Sequence, residues 1–125
     1  MKEIERIADQ LKRAVEGEAW HGPSLNETLA QVSAQAAAAR PMAGGHTPWE
    51  IALHIGAWLA AVRRRLGGQA VELSPEEDWA PVGDATEAAW EQARARLSEA
   101  GARNPWLDDV EDRIFERNAR ELYRL

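Results

Sequence analysis

Residues 46–68 read His46-Thr47-Pro48-Trp49-Glu50-Ile51-Ala52-Leu53-His54-Ile55-Gly56-Ala57-Trp58-Leu59-Ala60-Ala61-Val62-Arg63-Arg64-Arg65-Leu66-Gly67-Gly68. Thr47 stands where an N-cap belongs, Pro48 takes the first helical position, and Glu50 completes a capping box. Gly67-Gly68 is a stop signal. One helix is therefore predicted from Pro48 to Leu66. Between Ile51 and Val62 it is apolar nearly all round, which predicts the central and most buried helix of the fold. The arginines of its last turn complement the helix dipole, and three are too few for a nucleic-acid stripe.

Working towards the N-terminus, Ile4, Ile7, Leu11, Ala14 and Val15 recur at helical spacing and predict a helix from about Lys2 to Glu16, stopped by Gly17. The turn Ala19-Trp20-His21-Gly22-Pro23 follows. Ser24 and Glu27 have capping-box spacing and open a segment carrying Leu25, Leu29, Val32 and Ala36, which Arg40-Pro41 closes. Towards the C-terminus, 69–84 reads as a long connection. Asp84 or Thr86 caps a helix to about Ala100, with Ala89, Trp90, Ala93 and Leu97 inward and a break at 101–105. A last helix from about Pro105 carries Leu107, Val110, Ile114, Leu122 and Leu125, with Phe115 alongside. The reading is an all-α single domain over 1–125, a four-helix bundle with an extra short helix after the first helix.

A chain of 125 residues fits one domain, and 45% hydrophobic with 29% charged residues is the balance of a globular protein. The net charge of −6 disfavours nucleic acid as a partner. There is no cysteine, so disulfides, thiolate catalysis and cysteine-ligated zinc are excluded. The charged start is unlike a secretory signal, and 51–62, the longest nearly apolar stretch, is far short of the roughly 20 residues a membrane span needs. A cytoplasmic location without membrane contact is expected. No phosphate-binding glycine loop, nucleophile elbow or metalloprotease motif occurs.

His54 lies among Ile51, Ile55 and Trp58, where an imidazole needs a hydrogen bond or a metal. Both readings stand. His21 and His46 are loop histidines beside glycines. They are either solvated or converge at one mouth of the bundle, lining a pocket with Trp20 and Trp49. Trp58 and Trp90 read as core, Trp58 also lining that pocket, while Trp20, Trp49 and Trp79 are candidates for a cavity wall. Glu111, Asn118 and Glu121 fall near the stripe of the last helix, either facing His54 across the core or rotated to its edge. Glu76-Glu77 and Asp108-Asp109 read as solvated surface.

The run 19–25, then Arg40-Pro41, then Gly45-His46-Thr47-Pro48-Trp49-Glu50-Ile51, His54-Ile55 and Trp58 resembles the DinB-like (DinB/YfiT) superfamily. Asp78-Trp79 and 86–90 fit one branch of it. The resemblance spans about residues 4–100. It implies a four-helix bundle, often a homodimer, holding a divalent metal such as nickel or zinc with three histidines. One is at the position of His54; the other two lie four residues apart on the last helix, in a pattern like His-x-x-Tyr-His-Ala-Gly-Gln-Ile. Some relatives are thiol-dependent transferases or isomerases. Here no histidine follows His54. With Asn118-Ala119-Arg120-Glu121-Leu122 in the place of His-Ala-Gly-Gln-Ile, Ile114 and Asn118 replace the two histidines.

The resulting expectation is a DinB-like domain with a degenerate metal site, weak or absent zinc or nickel, and a small-ligand-binding or structural role. The alternative is a divalent-metal-dependent enzyme of the thiol transferase, isomerase or hydrolase type. It would use His54 with carboxylates (Glu111 or Glu121) or ligands from a partner chain. A stress-related interaction protein is a third class. Apolar surface left by the shortened C-terminal half predicts a two-fold homodimer.

Overall fold

The computed structural model describes residues 3–102. Its elements are α1 (Glu3–Glu16), α2 (Leu25–Ala30), α3 (Ala34–Ala38), α4 (Pro48–Leu66), α5 (Pro75–Asp78) and α6 (Glu87–Ala102). There is no strand among the described residues, so the all-α reading holds for them. The expected last helix, with Glu111, Asn118 and Glu121, lies outside the described residues.

α4 begins and ends where its sequence signals stand. Thr47 and Glu50 form the reciprocal capping box, at 2.7 and 3.1 Å, and Gly67 is the C-cap. α4 packs chiefly on α6. Trp49 meets Trp90 with ring centroids 5.0 Å apart, and two turns further on Gly56 faces Leu97. The two helices therefore run parallel, which requires the long crossover 67–86 between them. Ala34 and Ala37 of α3 and Ala52 of α4 fill in around the two indoles, small residues against large ones.

The expected second helix is two. α2 is capped by Ser24 and Glu27 as predicted, but α3 starts separately with Ser33 as its N-cap. At the break lies Trp90, the largest fully buried side chain at 0% exposure. Its indole N–H donates to the Val32 carbonyl at 2.7 Å, which a continuous helix would have occupied. The 69–84 connection, expected as loop, holds α5, with a Ser74–Glu77 capping box and Pro75 at the first helical turn.

Three further expectations are corrected. The expected break at 101–105 does not begin at Gly101, and 103–105 lie outside the described residues. Gly101 lies within α6, buried, where a Cβ would come 2.6 Å from Val15 Cγ2. Its missing side chain is what lets α1 approach α6. α4 is not buried all round, since Ile51 and Val62 are exposed. Trp58, expected in the core, is 37% exposed.

Trp90→Ala should therefore cost about 3–5 kcal/mol, as large core truncations do. Trp58→Ala should cost roughly 1 kcal/mol, nearer a surface substitution. Urea unfolding of both variants checks the order, and an equal loss would place both indoles in the core.

Candidate functional site

The crossover returns along α4. Arg65 Nε donates to the Val71 carbonyl at 2.9 Å and Val71 is buried, so the strand of chain leaving α4 is pinned at once. α5 then delivers Asp78 and Trp79 against the middle of α4. His54 Nδ1 lies 2.8 Å from the Asp78 carbonyl and 3.0 Å from Asp78 Oδ1. The Trp58 indole N–H donates to the same Oδ1 at 2.6 Å. Both neighbours of His54 Nδ1 are acceptors. The proton of a neutral His54 is therefore on Nδ1, and Nε2 carries the lone pair.

Trp79 stacks on His54 with centroids 3.9 Å apart and planes 8° from parallel, and on His46 at 3.5 Å and 5°. Two rings that close to one centroid cannot share a face, so the indole is sandwiched between the two imidazoles. The array continues through the tilted His54–Trp58 contact at 6.3 Å to the Arg65 guanidinium, 5.4 Å from the Trp58 ring. At the other end His46 Nδ1 lies 3.5 Å from Glu50 Oε2. Glu50 also pairs with Arg40 at 3.0 Å, and Arg40 donates to the Gly45 carbonyl. The Thr47 amide donating to Glu50 lowers that carboxyl below its ordinary range, with Arg40 and His46 acting in the same sense.

The predicted site residues are thus only partly brought together. His46, His54 and Trp58 join one array. Trp49 lies beneath it in the core, 4% exposed, against Trp90. Trp20 and His21 do not join. They touch each other edge to face at 5.6 Å, and Trp20 is 85% exposed. They precede α2, whose Asn26 bonds Ser98 at 2.8 Å, while His46 precedes Trp49 at the level of Trp90. Trp90 and Ser98 are about 12 Å apart along α6. His21 and His46 therefore sit towards opposite ends, and no single pocket holds Trp20, His21, His46 and Trp49. Sequence reasoning missed Asp78, the residue that ties the array together. Its signal was present: Ser74-Pro75-Glu76-Glu77 is a capping box with proline behind the cap, and it announces a helical turn ending at Asp78.

A His54 whose Nδ1–H is held by a carbonyl and a carboxylate has the outer-shell arrangement of a metal-ligating histidine. The donor set does not extend from there. His46 is on the far face of Trp79, and among the described residues no group of three His, Asp or Glu is placed to hold a metal ion. Glu111, Asn118 and Glu121 lie outside the described residues.

Two hollows flank α4. A cleft of about 560 Å³ lies between α4 and α6 under residues 80–84, lined by Trp49, Leu53, Gly56, Ala93, Arg96 and Leu97 among others. A groove of about 420 Å³ runs along its other side, lined by Leu11, His54, Ile55, Trp58, Val62 and Arg63 among others. Among the described residues no helix is long and apolar enough to cross a membrane. Comparison with protein-family models, curated proteins and solved structures finds no match.

Two stacked faces at about 0.5–1.5 kcal/mol each predict that Trp79→Ala loses about 2 kcal/mol in urea unfolding and that Trp79→Phe regains most of it. A loss no greater than that of an exposed-residue variant would dissolve the sandwich. Glu50 has a depressed carboxyl, so its contribution is present above the ordinary carboxylate range and is lost as pH falls through its lowered value. In Glu50→Gln that part of the acid sensitivity should vanish from the pH–stability curve.

Proposed function

We propose that this chain is a DinB-like helical bundle with a degenerate metal site, acting as a small-ligand-binding domain. The observation that carries the reading is the cleft between α4 and α6. Its roughly 560 Å³ falls in the range of small-molecule sites. Its walls are mostly apolar: Trp49, Leu53, Ala93 and Leu97. Its polar groups are few, with Gln92 and Arg96 from α6 and Asp84 from the crossover. Arg96 has no ion pair or hydrogen bond to another described side chain, so among the described residues it stands as an unpaired cation at an apolar wall. A ligand with an apolar body and an anionic group is the complement.

A second reading, a divalent-metal-dependent enzyme, is favoured by one observation, the orientation of His54 by Asp78. It ranks second because zinc and nickel sites need three or more protein ligands, and His54 is one. No catalytic step is derived for it.

Anilinonaphthalene sulfonate, an apolar ring system with one anionic group, is a direct probe of the cleft. Saturable binding near one per chain is expected, lost in Ala93→Trp, which fills the cleft, at unchanged helicity. Binding that survives Ala93→Trp, or none in the parent chain, would overturn the ligand-binding reading. Elemental analysis separates the second reading: about one zinc or nickel per chain, lost in His54→Ala, would put the enzyme first.

A further inference from the structure

The cleft between α4 and α6 carries two opposite charges that do not meet. Among its described lining residues only Asp84 and Arg96 are charged. Neither side chain has an ion pair with another described residue. Between them the walls are apolar, with Trp49 and Leu53 on α4 and Ala93 and Leu97 on α6.

The topology accounts for the separation. Ala89, Gln92, Ala93, Arg96 and Ala100 recur at helical spacing and make one face of α6. Asp84 belongs to the crossover, ahead of the first residue of α6, Glu87. The helix rises about 13 Å from Glu87 to Arg96. A long helical side chain leans back towards the N-terminus, so the guanidinium and the carboxylate stand on the order of 10 Å apart. The lip that carries Asp84 is anchored beside it: Val82 packs against the core cluster that contains Trp49 and Trp90, and the ring of Pro81 fixes its own φ.

A ligand with an anionic group only would satisfy Arg96 and place its charge in one apolar-walled cleft with Asp84, where like charges repel more strongly than in water. A ligand with a cationic group only has the reverse fault towards Arg96. A molecule with both groups, one at each end of an apolar body, complements both.

We propose, on the ligand-binding reading of this cleft, that its ligand is a zwitterion. A carboxylate at one end takes two parallel N–H bonds from Arg96, an ammonium group at the other end meets Asp84, and an elongated apolar body lies on Trp49, Leu53 and Leu97. Gln92, one turn before Arg96, lies between the two poles and offers an amide to polar groups of that body.

Three probes of one chain length isolate the poles: ω-aminooctanoate has both, octanoate the anion only, octylammonium the cation only. Amide NMR titrations of the full chain give each Kd. An ammonium group added to an apolar chain favours water, so a gain in affinity reports its partner in the cleft. In the parent chain ω-aminooctanoate should bind several-fold more tightly than either single-pole probe. Asp84→Asn should abolish its advantage over octanoate without weakening octanoate. Arg96→Gln should weaken ω-aminooctanoate and octanoate alike and spare octylammonium. Both side chains belong to exposed residues, so helicity should be unchanged in each variant. Octanoate binding as tightly as ω-aminooctanoate in the parent chain, or an advantage that survives Asp84→Asn, would overturn the zwitterion and leave the ligand-binding reading standing. So would anilinonaphthalene sulfonate bound in the cleft with none of the three probes binding. If that dye fails to bind as well, both readings fall together.

Discussion

The indole of Trp90 is excluded from water, and its N–H has to be bonded inside the protein. The Val32 carbonyl accepts it. The carbonyl that an uninterrupted helix would pair with the amide four residues on is turned to the indole instead, and the chain leaves helical geometry around Val32. That is where α2 ends and α3 begins. Ser33 then caps α3, and the Ala34 amide, freed at the new helix start, receives the Glu87 carboxylate at 2.9 Å. Glu87 lies one turn before Trp90. One buried polar atom thus fixes α3 across the N-terminal end of α6, and the methyl groups of Ala34 and Ala37 come to pack with Trp49 and Trp90.

The second constraint follows from the parallel run of α4 and α6. A crossover as long as 67–86 would be a loose loop unless something held it. It is held at both ends of its return path: near its start by Arg65 on the Val71 carbonyl, and at α5 by Asp78 on His54 and Trp58. The same tether sets chemistry. By presenting only acceptors to Nδ1, Asp78 leaves Nε2 as the basic atom of His54. By delivering Trp79, it separates His54 from His46 with an indole. Structure and chemical potential of the site therefore share one cause. The geometry that orients one histidine also prevents the other from joining it at a common ion.

What the sequence made legible was local. Thr47-Pro48-x-Glu50, Ser24-x-x-Glu27 and Gly67-Gly68 are self-contained signals, and each marks an observed boundary. What it concealed depended on partners distant in the chain. The break at Val32 meets its partner in Trp90, 58 residues away. Gly101 carries the mark of a helix breaker, yet its lack of a Cβ serves contact with Val15. The pocket expected from Trp20, His21, His46 and Trp49 rested on residue type and loop position. Neither contains the direction of α2 relative to α6, which separates the pairs. Asp78 was legible in principle through the Ser74 capping box, but its bonds to His54 and Trp58 follow from the fold of the crossover.

α4 shows why an all-round apolar helix is an ambiguous signal. Hydrophobicity at 51–62 says that every side of the helix is to be covered, and it does not say by what. Its three sides have three different surroundings. Trp49, Ala52 and Gly56 meet α3 and α6. His54 and Trp58 meet the crossover at Asp78. Ile51 and Val62 meet no described element closely enough to bury them. Each side has its own chemistry: small residues and indoles on the first side, a carboxylate and stacked rings on the second, a bare aliphatic stripe ending in arginines on the third. His54 stands at the boundary between the second side and the third, anchored through Nδ1 to one and lining the groove of the other. Whatever fills the groove therefore also sets the surroundings of His54 and of its Nε2.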